Sequence, residues 1–337
     1  MVGLDIGSKT IKIVELEVKA DKITLKSSGV VGYSGVTPDK LGDDKSAATL
    51  AQAIKKLHKE SGITSKDVSL SIPENHVFTR TIKFPLLTDS EIVSAVKWEA
   101  DQYIPIPAAE AVIQHVVLER RENATPPEVV VLLVAAPKAI VEKYVNVVGL
   151  AGLNTTVVET ELMALSRSLS PPGKTVLLVD LGAFSTDIAV CRNGMLSFSR
   201  SVAVAGDALT RSVAKGLGVT YQQAEEYKKA YGLGVKKSEG KVKTVIAPVV
   251  KMIADEIKKA IHFYQSEDKG DAPNAVIICG GTVGMPALVP YLTELLGMEV
   301  AVGNPFAKVA LTPQAAKSVA PYAPIYAVAV GLAMREE

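Results

Sequence analysis

The sequence predicts an α/β fold made of two related lobes, and three observations carry that prediction. An apolar run that ends in Asp, an apolar residue and Gly, then a Ser/Thr cluster and a returning apolar run, occurs twice: VGLDIGSKTIKIV at Val2 to Val14 and VLLVDLGAFSTDIAV at Val176 to Val190. The chain has 337 residues, long for one domain and natural for two. Hydrophobic residues make up 48% of it, ample material for buried sheets flanked by helices.

Each hairpin has a physical reading. Val176 to Val179 shows no polar alternation, which suits a strand buried on both faces. Asp180 closes that strand, and Gly182 permits backbone geometry closed to other residues. Ser185, Thr186 and Asp187 then supply small polar groups before Ile188 to Val190 run back. The first copy repeats this with Asp5-Ile6-Gly7-Ser8-Lys9-Thr10 and one residue fewer in the turn. Either turn alone is accounted for as a β-hairpin with a polar tip. The pair implies more, because internal repetition marks duplicated architecture. Two such tips can offer backbone N–H groups and hydroxyls to phosphate oxygens from both sides, with Asp5 and Asp180 placed to hold a hydrated divalent cation.

Composition removes other classes of function. A formal net charge of +1 argues against a nucleic-acid binder that works by bulk charge. The two cysteines, Cys191 and Cys279, lie inside apolar runs and read as buried free thiols in a reducing compartment. His58, His76, His115 and His262 are scattered, with no HxxxH, no CxxC, no P-loop and no G-x-S-x-G elbow, so neither a protein-ligated transition metal nor a hydrolase triad is expected. The longest apolar stretches, Val129 to Pro137 and Ile325 to Met334, fall short of the roughly 20 residues that span a bilayer. Asp5 and Glu15 interrupt what a signal peptide would need, so the first residues read as a core strand, with a few residues expected ahead of it in the natural protein.

In chain order, strands are expected at Val2 to Val18 and Ile23 to Val31 around an Asp21-Lys22 turn, then a Gly- and Pro-rich loop to Lys45. A helix over Ser46 to Ser61 carries Leu50, Ile54 and Leu57 on one face, and Val68 to Ile72 is a buried strand. From His76 to Leu153 the sequence departs from the duplicated plan. Thr79 to Phe84 reads as an edge strand, and Thr88 with Glu91 forms a capping box that opens an amphipathic helix to Tyr103. Ile104-Pro105-Ile106-Pro107 ends that helix, because proline disfavours helix in the residue before it. Strands at Ala111 to Glu119 and Val129 to Ala136 and a helix from Pro137 to Ala151 complete a small inserted subdomain.

The duplicated plan then resumes. A helix is expected over Val157 to Arg167, followed by the second hairpin, a strand from Met195 to Val204 and a helix opened by Gly206-Asp207. Thr220 to Tyr231 is a charged helix with i to i+4 pairs, and a long structural helix spans Val245 to Gln265. Val276 to Thr282 is a buried strand running into Gly280-Gly281, where bare backbone can meet a flat ligand. A last edge strand at Val300 to Pro305 and an Ala/Gly-rich helix at Ala327 to Ala333 close the chain.

The paired Asp-x-Gly hairpins resemble the phosphate motifs of the actin, Hsp70 and sugar-kinase superfamily. The run FPLLTDSEIVSAVKWEADQYIPIP, Phe84 to Pro107, resembles the signature of the type IV pilus assembly PilM family, relatives of the cell-division protein FtsA. That resemblance implies an actin-like (ribonuclease H-like) duplicated two-lobed fold with an FtsA/PilM-type insert, divided as a first lobe core at 1–76, the insert at 77–153, and the connection helix and second lobe at 154–337. It implies ATP and Mg2+ as cofactors. Asp5, Gly7, Ser8, Lys9 and Thr10 would hold phosphate from one side, and Asp180, Gly182, Ala183, Phe184, Ser185 and Thr186 from the other. Glu225 and Lys228 would border the purine and ribose, and Gly280, Gly281 and Thr282 the adenosine. Asp5 and Asp180 would reach Mg2+ mostly through water. Relatives that turn over ATP place a carboxylate or amide in the first connection; Glu159 and Glu161 are the candidates, and Glu161 is the one nominated.

The resemblance further implies a partner, the cytoplasmic N-terminal peptide of the inner-membrane protein PilN, lying in a groove between the first lobe and the insert with Trp98, Tyr103 and Ile104 in contact. From the residues alone, Trp98 and the Ile-Pro-Ile-Pro segment read as local core and helix terminator. The chain would then be cytoplasmic, held at the inner-membrane assembly complex of a type IV pilus or type II secretion system through that partner. Two other readings stay open: a filament former like FtsA, and a small-molecule kinase, for which no stretch supplies a committed general-base Asp.

Overall fold

The computed structural model describes residues 1–19, 22–234, 240–268 and 272–335. Asp21 of the expected Asp21-Lys22 turn lies outside them. Two five-stranded sheets share one topology. In the first, β1 (Val2–Ile6), β2 (Thr10–Lys19) and β3 (Lys22–Gly32) form an antiparallel meander. β4 (Asp67–Ile72) and β8 (Asn154–Thr160) then add in parallel on the far side of β1, in the order β3-β2-β1-β4-β8. The second repeats this with β9 (Thr175–Leu181), β10 (Thr186–Arg192), β11 (Met195–Val202), β12 (Ala275–Cys279) and β13 (Glu299–Val302), in the order β11-β10-β9-β12-β13. The central strands β1 and β9 are buried almost throughout, as their unbroken apolar runs require.

Helices close the faces of these sheets. α1 (Asp44–Glu60) starts where Asp43 accepts from the Ser46 N–H at 2.7 Å and buries Leu50, Ile54 and Leu57 against the first sheet. On the second sheet lie α5 (Gly206–Leu217), α6 (Tyr221–Tyr231), α7 (Gly240–Asp268) and α8 (Leu288–Leu296). Among the described residues no helix is long and apolar enough to cross a membrane.

The insert contains α2 (Asp89–Tyr103) and a three-stranded sheet, β5 (Phe78–Pro85), β6 (Ala111–Arg121) and β7 (Glu128–Pro137), in the order β5-β7-β6. The Thr88–Glu91 capping box forms as expected, and β5 is an edge strand. Ile92, Val96, Ala100 and Ile104 pack on Val129, Val131 and Leu133. α3 (Lys138–Leu150), expected to complete the insert, instead buries Tyr144, Val147 and Val148 in the first lobe's core. The helix expected from Val157 also starts later. Asn154 to Thr160 is strand β8, paired with β4, and α4 (Glu161–Leu169) begins only after Thr160 caps it. The run Thr155-Thr156-Val157-Val158 is β-branched, which favours the pleated surface offered by β4.

The lobes are joined by α4 and α10 (Ala327–Ala333), which pack directly on each other. Gly331 permits this, since a Cβ there would collide with the Ala164 carbonyl. The Arg167 guanidinium forks onto both oxygens of buried Glu159, at 2.8 Å each, and Arg335 adds a contact at 3.2 Å.

Gly331→Ala is therefore expected to lower stability to urea by about 1–3 kcal/mol, the usual range for overpacking. Gly149→Ala on α3, whose Cβ meets open space, is expected to leave the midpoint unchanged or raise it.

Candidate functional site

Between the lobes lies a cleft of about 1100 Å3. Both hairpins reach it, and their turns close in the same way: the Gly7 N–H donates to the Thr10 carbonyl and the Gly182 N–H to the Ser185 carbonyl, each at 3.1 Å. The tips face one another across the mouth. Lys9 Nζ stands 5.3 Å from the Phe184 ring centre and 5.9 Å from that of Tyr221, and Lys40 stands 5.2 Å from Phe184. Asp39 anchors the loop that carries Lys40, through His76 at 3.2 Å and the Tyr144 hydroxyl at 3.3 Å. Burial raises the Asp39 carboxyl, but hydrogen bonds from His76 and Thr37 outweigh it and hold the group well below the usual range.

Strand register builds the floor. Asp5 sits opposite Lys12 on β2, while at the matching place in the second lobe Asp180 sits opposite Asp187 on β10. Lys12 Nζ pairs with Asp5 at 2.9 Å. Burial opposes the lysine's charge, yet Asp5, with help from Asp180 and Glu161, keeps its pKa above the ordinary value. Asp180 is pushed up to about 7 by burial, with Asp187 adding to the rise and Lys12 offsetting part of it. Glu161 is driven well above the carboxylate range by burial, then by Asp5, Asp187 and Asp180. Burial raises Asp187 too, and Glu74 goes up to about 7 by burial against the pull of Ser199. The floor thus crowds carboxyl groups around the Lys12 ammonium, and its empty form favours protons or a cation.

The third element stands over this floor. Gly280 has φ +93°, and a Cβ there would strike the Asp180 carboxylate. At Gly281 a Cβ would meet only open space. Thr282 pins the loop to the second hairpin, its hydroxyl donating to the Gly182 carbonyl at 3.0 Å and its N–H to the Leu181 carbonyl at 3.1 Å. The start of α5 is tied to the same turn, with the Asp207 N–H donating to the Ala183 carbonyl at 2.7 Å. From α6, Lys228 reaches the Gly206 carbonyl at 3.1 Å, Thr210 at 2.9 Å and Glu225 at 2.7 Å. Glu225 is partly buried, which would raise it, but Lys228 and Thr210 bring it down to about 2. α6 is therefore not a wholly solvated face, since Ala224 and Lys228 are buried.

Asp5, Gly7, Ser8, Lys9, Thr10, Glu161, Asp180, Gly182, Ala183, Phe184, Ser185, Glu225, Lys228, Gly280, Gly281 and Thr282 all line this one cleft. Thr186 does not. It is buried and its hydroxyl donates to the Val204 carbonyl at 2.6 Å, because the side chain after the turn points to the opposite face of β10 from Asp187. Trp98, Tyr103 and Ile104 are on the insert. Trp98 is 68% exposed on α2, so it is not the local core residue the plainer reading expects. Tyr103 lies under the Arg80 guanidinium at 3.8 Å, and Ile104 is buried in the insert's core, which corrects its nomination as a surface contact. Sequence reasoning missed Lys12 and Glu74. The hairpin register places Lys12 opposite Asp5, and that signal could have found it; Glu74 follows Pro73 at a strand end with nothing local to mark it.

A Mg2+ ion fits this donor set in one manner. Among the described residues no three His, Cys, Asp or Glu side chains are grouped to grip one ion directly. Yet Asp187 Oδ1 and Glu74 Oε2 are buried without a protein partner there. Such a floor suits an ion held through water and ligand oxygens, not an all-protein cage.

The electrostatics give a stability prediction. Asp180 and Glu74 bind protons more tightly folded than unfolded, so their contribution is greatest below the ordinary carboxylate range near pH 4 and is lost as pH rises through about 7. Without ligand, the melting temperature is expected to fall by about 3 °C or more between pH 5 and pH 8, and Asp180→Asn is expected to reduce that fall in a thermal scan.

Residues 3–337 match the family model described as type IV pilus assembly protein PilM. Cell division protein FtsA of Bacillus subtilis is 23% identical over 344 residues, covering 90% of this chain and 78% of the relative. FtsA of Pseudomonas aeruginosa is 24% identical over 374 residues, covering 99% and 88%. Among solved structures, a chain of a PilM-PilN type IV pilus biogenesis complex superposes with a TM-score of 0.85 and 26% identity, over 99% of this chain and 97% of that one. MreB5 of Spiroplasma citri bound to AMPPNP shares the fold, with a TM-score of 0.54 at 13% identity over 98% and 93%. The two-lobed architecture is thus actin-like, and the chain belongs to the type IV pilus assembly protein PilM family.

Proposed function

We propose that the cleft binds ATP with Mg2+, and that the state of the cleft governs how the insert meets the cytoplasmic N-terminal peptide of PilN in an inner-membrane pilus or type II secretion platform. The observation that carries this reading is the meeting of two equivalent hairpin tips over a carboxylate floor, with a bare diglycine edge beside them. Backbone N–H groups of Ser8 to Thr10 and of Ala183 to Ser185 would take phosphate oxygens, in turns that the Gly7 and Gly182 N–H bonds hold closed, with Lys9 and Lys12 adding charge. Glu225 and Lys228 would border the ribose, and Gly281 the base. Bound Mg2+ would neutralise phosphate charge, reached through water from Asp5 and Asp180. Glu161 would orient water at the phosphates, making the chain at most a slow ATPase.

On the insert, the exposed Trp98 is the anchor we assign to the peptide, with Val93 and Leu86 exposed near it in sequence. The division into a first lobe, an insert and a second lobe lets closure of the cleft move one against another, so each ligand changes the affinity of the other by the same factor. A second reading stays with the likeness to FtsA and takes the chain as a filament former with nucleotide. Sedimentation with and without MgATP decides it, since a filament pellets and a monomer does not.

Gly281→Val is expected to fold and melt as the natural chain does, because its Cβ meets no protein atom, while MgATP affinity by calorimetry falls about tenfold or more through intrusion on the ligand. Unchanged affinity would remove the diglycine edge from the site. Trp98→Ala is expected to leave stability within about 0.5 kcal/mol and to weaken binding of a PilN-tail peptide about tenfold or more. Equal peptide affinity in both proteins would place the groove elsewhere.

A further inference from the structure

The insert is threaded through the first lobe's sequence yet is seated against the second. Its edge strand β5 runs beside β11, the edge of the second sheet. Polar contacts cross the seam: Thr81 Oγ1 donates to the Ser197 carbonyl at 2.7 Å, and the Thr79 and Ser199 hydroxyls lie 2.7 Å apart. Ser199 also donates to Glu74 Oε1 at 2.6 Å. A hydroxyl has one proton, so with Ser199 committed to Glu74 it is Thr79 that donates to Ser199. Glu74 is 2% exposed, and its Oε2 has no protein partner among the described residues. Its backbone N–H points at the Glu161 carboxylate, 3.4 Å away on the cleft floor. A continuous polar path therefore leads from the cleft through Glu161, Glu74 and Ser199 to Thr79 of the insert.

We propose that Glu74 is a positioning residue that couples the cleft to the insert: when Glu161 turns to a ligand, the Glu74 main chain loses its acceptor, Ser199 is no longer held, and the β5–β11 seam loosens. The identity of the ligand rests on the ATP reading above; the seam does not. A 3.4 Å link is the weakest in the path, which suits the point where a switch is made. Small shifts there reach the insert because the packed contacts beyond it have discrete arrangements.

Hydrogen exchange of the β5 segment, Phe78 to Pro85, in the full chain tests this without ligand. Glu161→Ala removes the acceptor and is expected to speed β5 exchange by about threefold or more, because local opening follows the contacts that hold a strand. Thr79→Val is expected to speed exchange by itself and to abolish the Glu161→Ala effect. Thr79→Ser, which keeps the hydroxyl, is expected to restore it. Glu161→Gln keeps an acceptor and is expected to leave β5 at the natural rate, so a change like that of alanine would show bulk charge at work and overturn the relay. Additive effects of Glu161→Ala and Thr79→Val would overturn it as well. In a second arm, MgAMPPNP is expected to speed β5 exchange in the natural chain and not in Thr79→Val. A coupled cycle with no response to MgAMPPNP in any protein counts against the ATP reading and leaves the relay standing.

Discussion

The structure depends on keeping several carboxyl groups out of water at the bottom of a cleft, with the Lys12 ammonium among them. Moving an isolated carboxylate into a dry interior costs far more than a domain's whole stability unless it is paired, protonated or bound to a cation. Asp5 is paired by Lys12. Asp180, Asp187, Glu161 and Glu74 are not paired in that way, and their raised pKa values are the response. The fold tolerates this because strands β1 and β9 and helix α4 are anchored by apolar packing on both sides of the floor.

Duplication explains why the two sides of the cleft match in form and differ in charge. Each lobe offers the same strand-turn-strand, closed by the same Gly N–H to carbonyl bond, so the tips present equivalent backbone. The cross-strand partner differs, lysine in one lobe and aspartate in the other. One half therefore supplies the countercharge and the other supplies the excess. The α4–α10 crossing beneath them allows close approach through Gly331 and is fastened by Glu159 with Arg167 and Arg335, so the lobes meet at a compact joint.

The insert adds a third body to this joint. Its apolar underside, including Val116, Leu118 and Leu132, packs near Leu162 and Leu196, while its edge strand lies beside β11. It touches the connection and the second lobe together, so a change in the angle between lobes reaches it through packing as well as through hydrogen bonds. Its outer helix keeps Trp98 exposed.

Much of this was legible in the residues because the relevant signals are local. Apolar runs, Asp-x-Gly turns, the Thr88–Glu91 box and the Gly280-Gly281 pair each act within a few neighbours, so the hairpins, the helix start and the diglycine loop could be read directly. Less could be read where a distant partner decides. Val157 to Thr160 is a strand because β4 offers it an open edge, and α3 belongs to the first lobe because Tyr144 finds its pocket there. Thr186 turns away through strand alternation, and Ile104 is buried against Val129, Val131 and Leu133 of β7, a strand well beyond it in the chain. By itself the sequence determined two equivalent hairpins, a diglycine loop and an interposed subdomain, because short-range backbone chemistry specifies them. Only the tertiary structure decided that Lys12, Glu74, Glu161 and Asp187 share one floor and that the insert sits on the second lobe, because burial and charge at each of these positions come from residues far away in the chain.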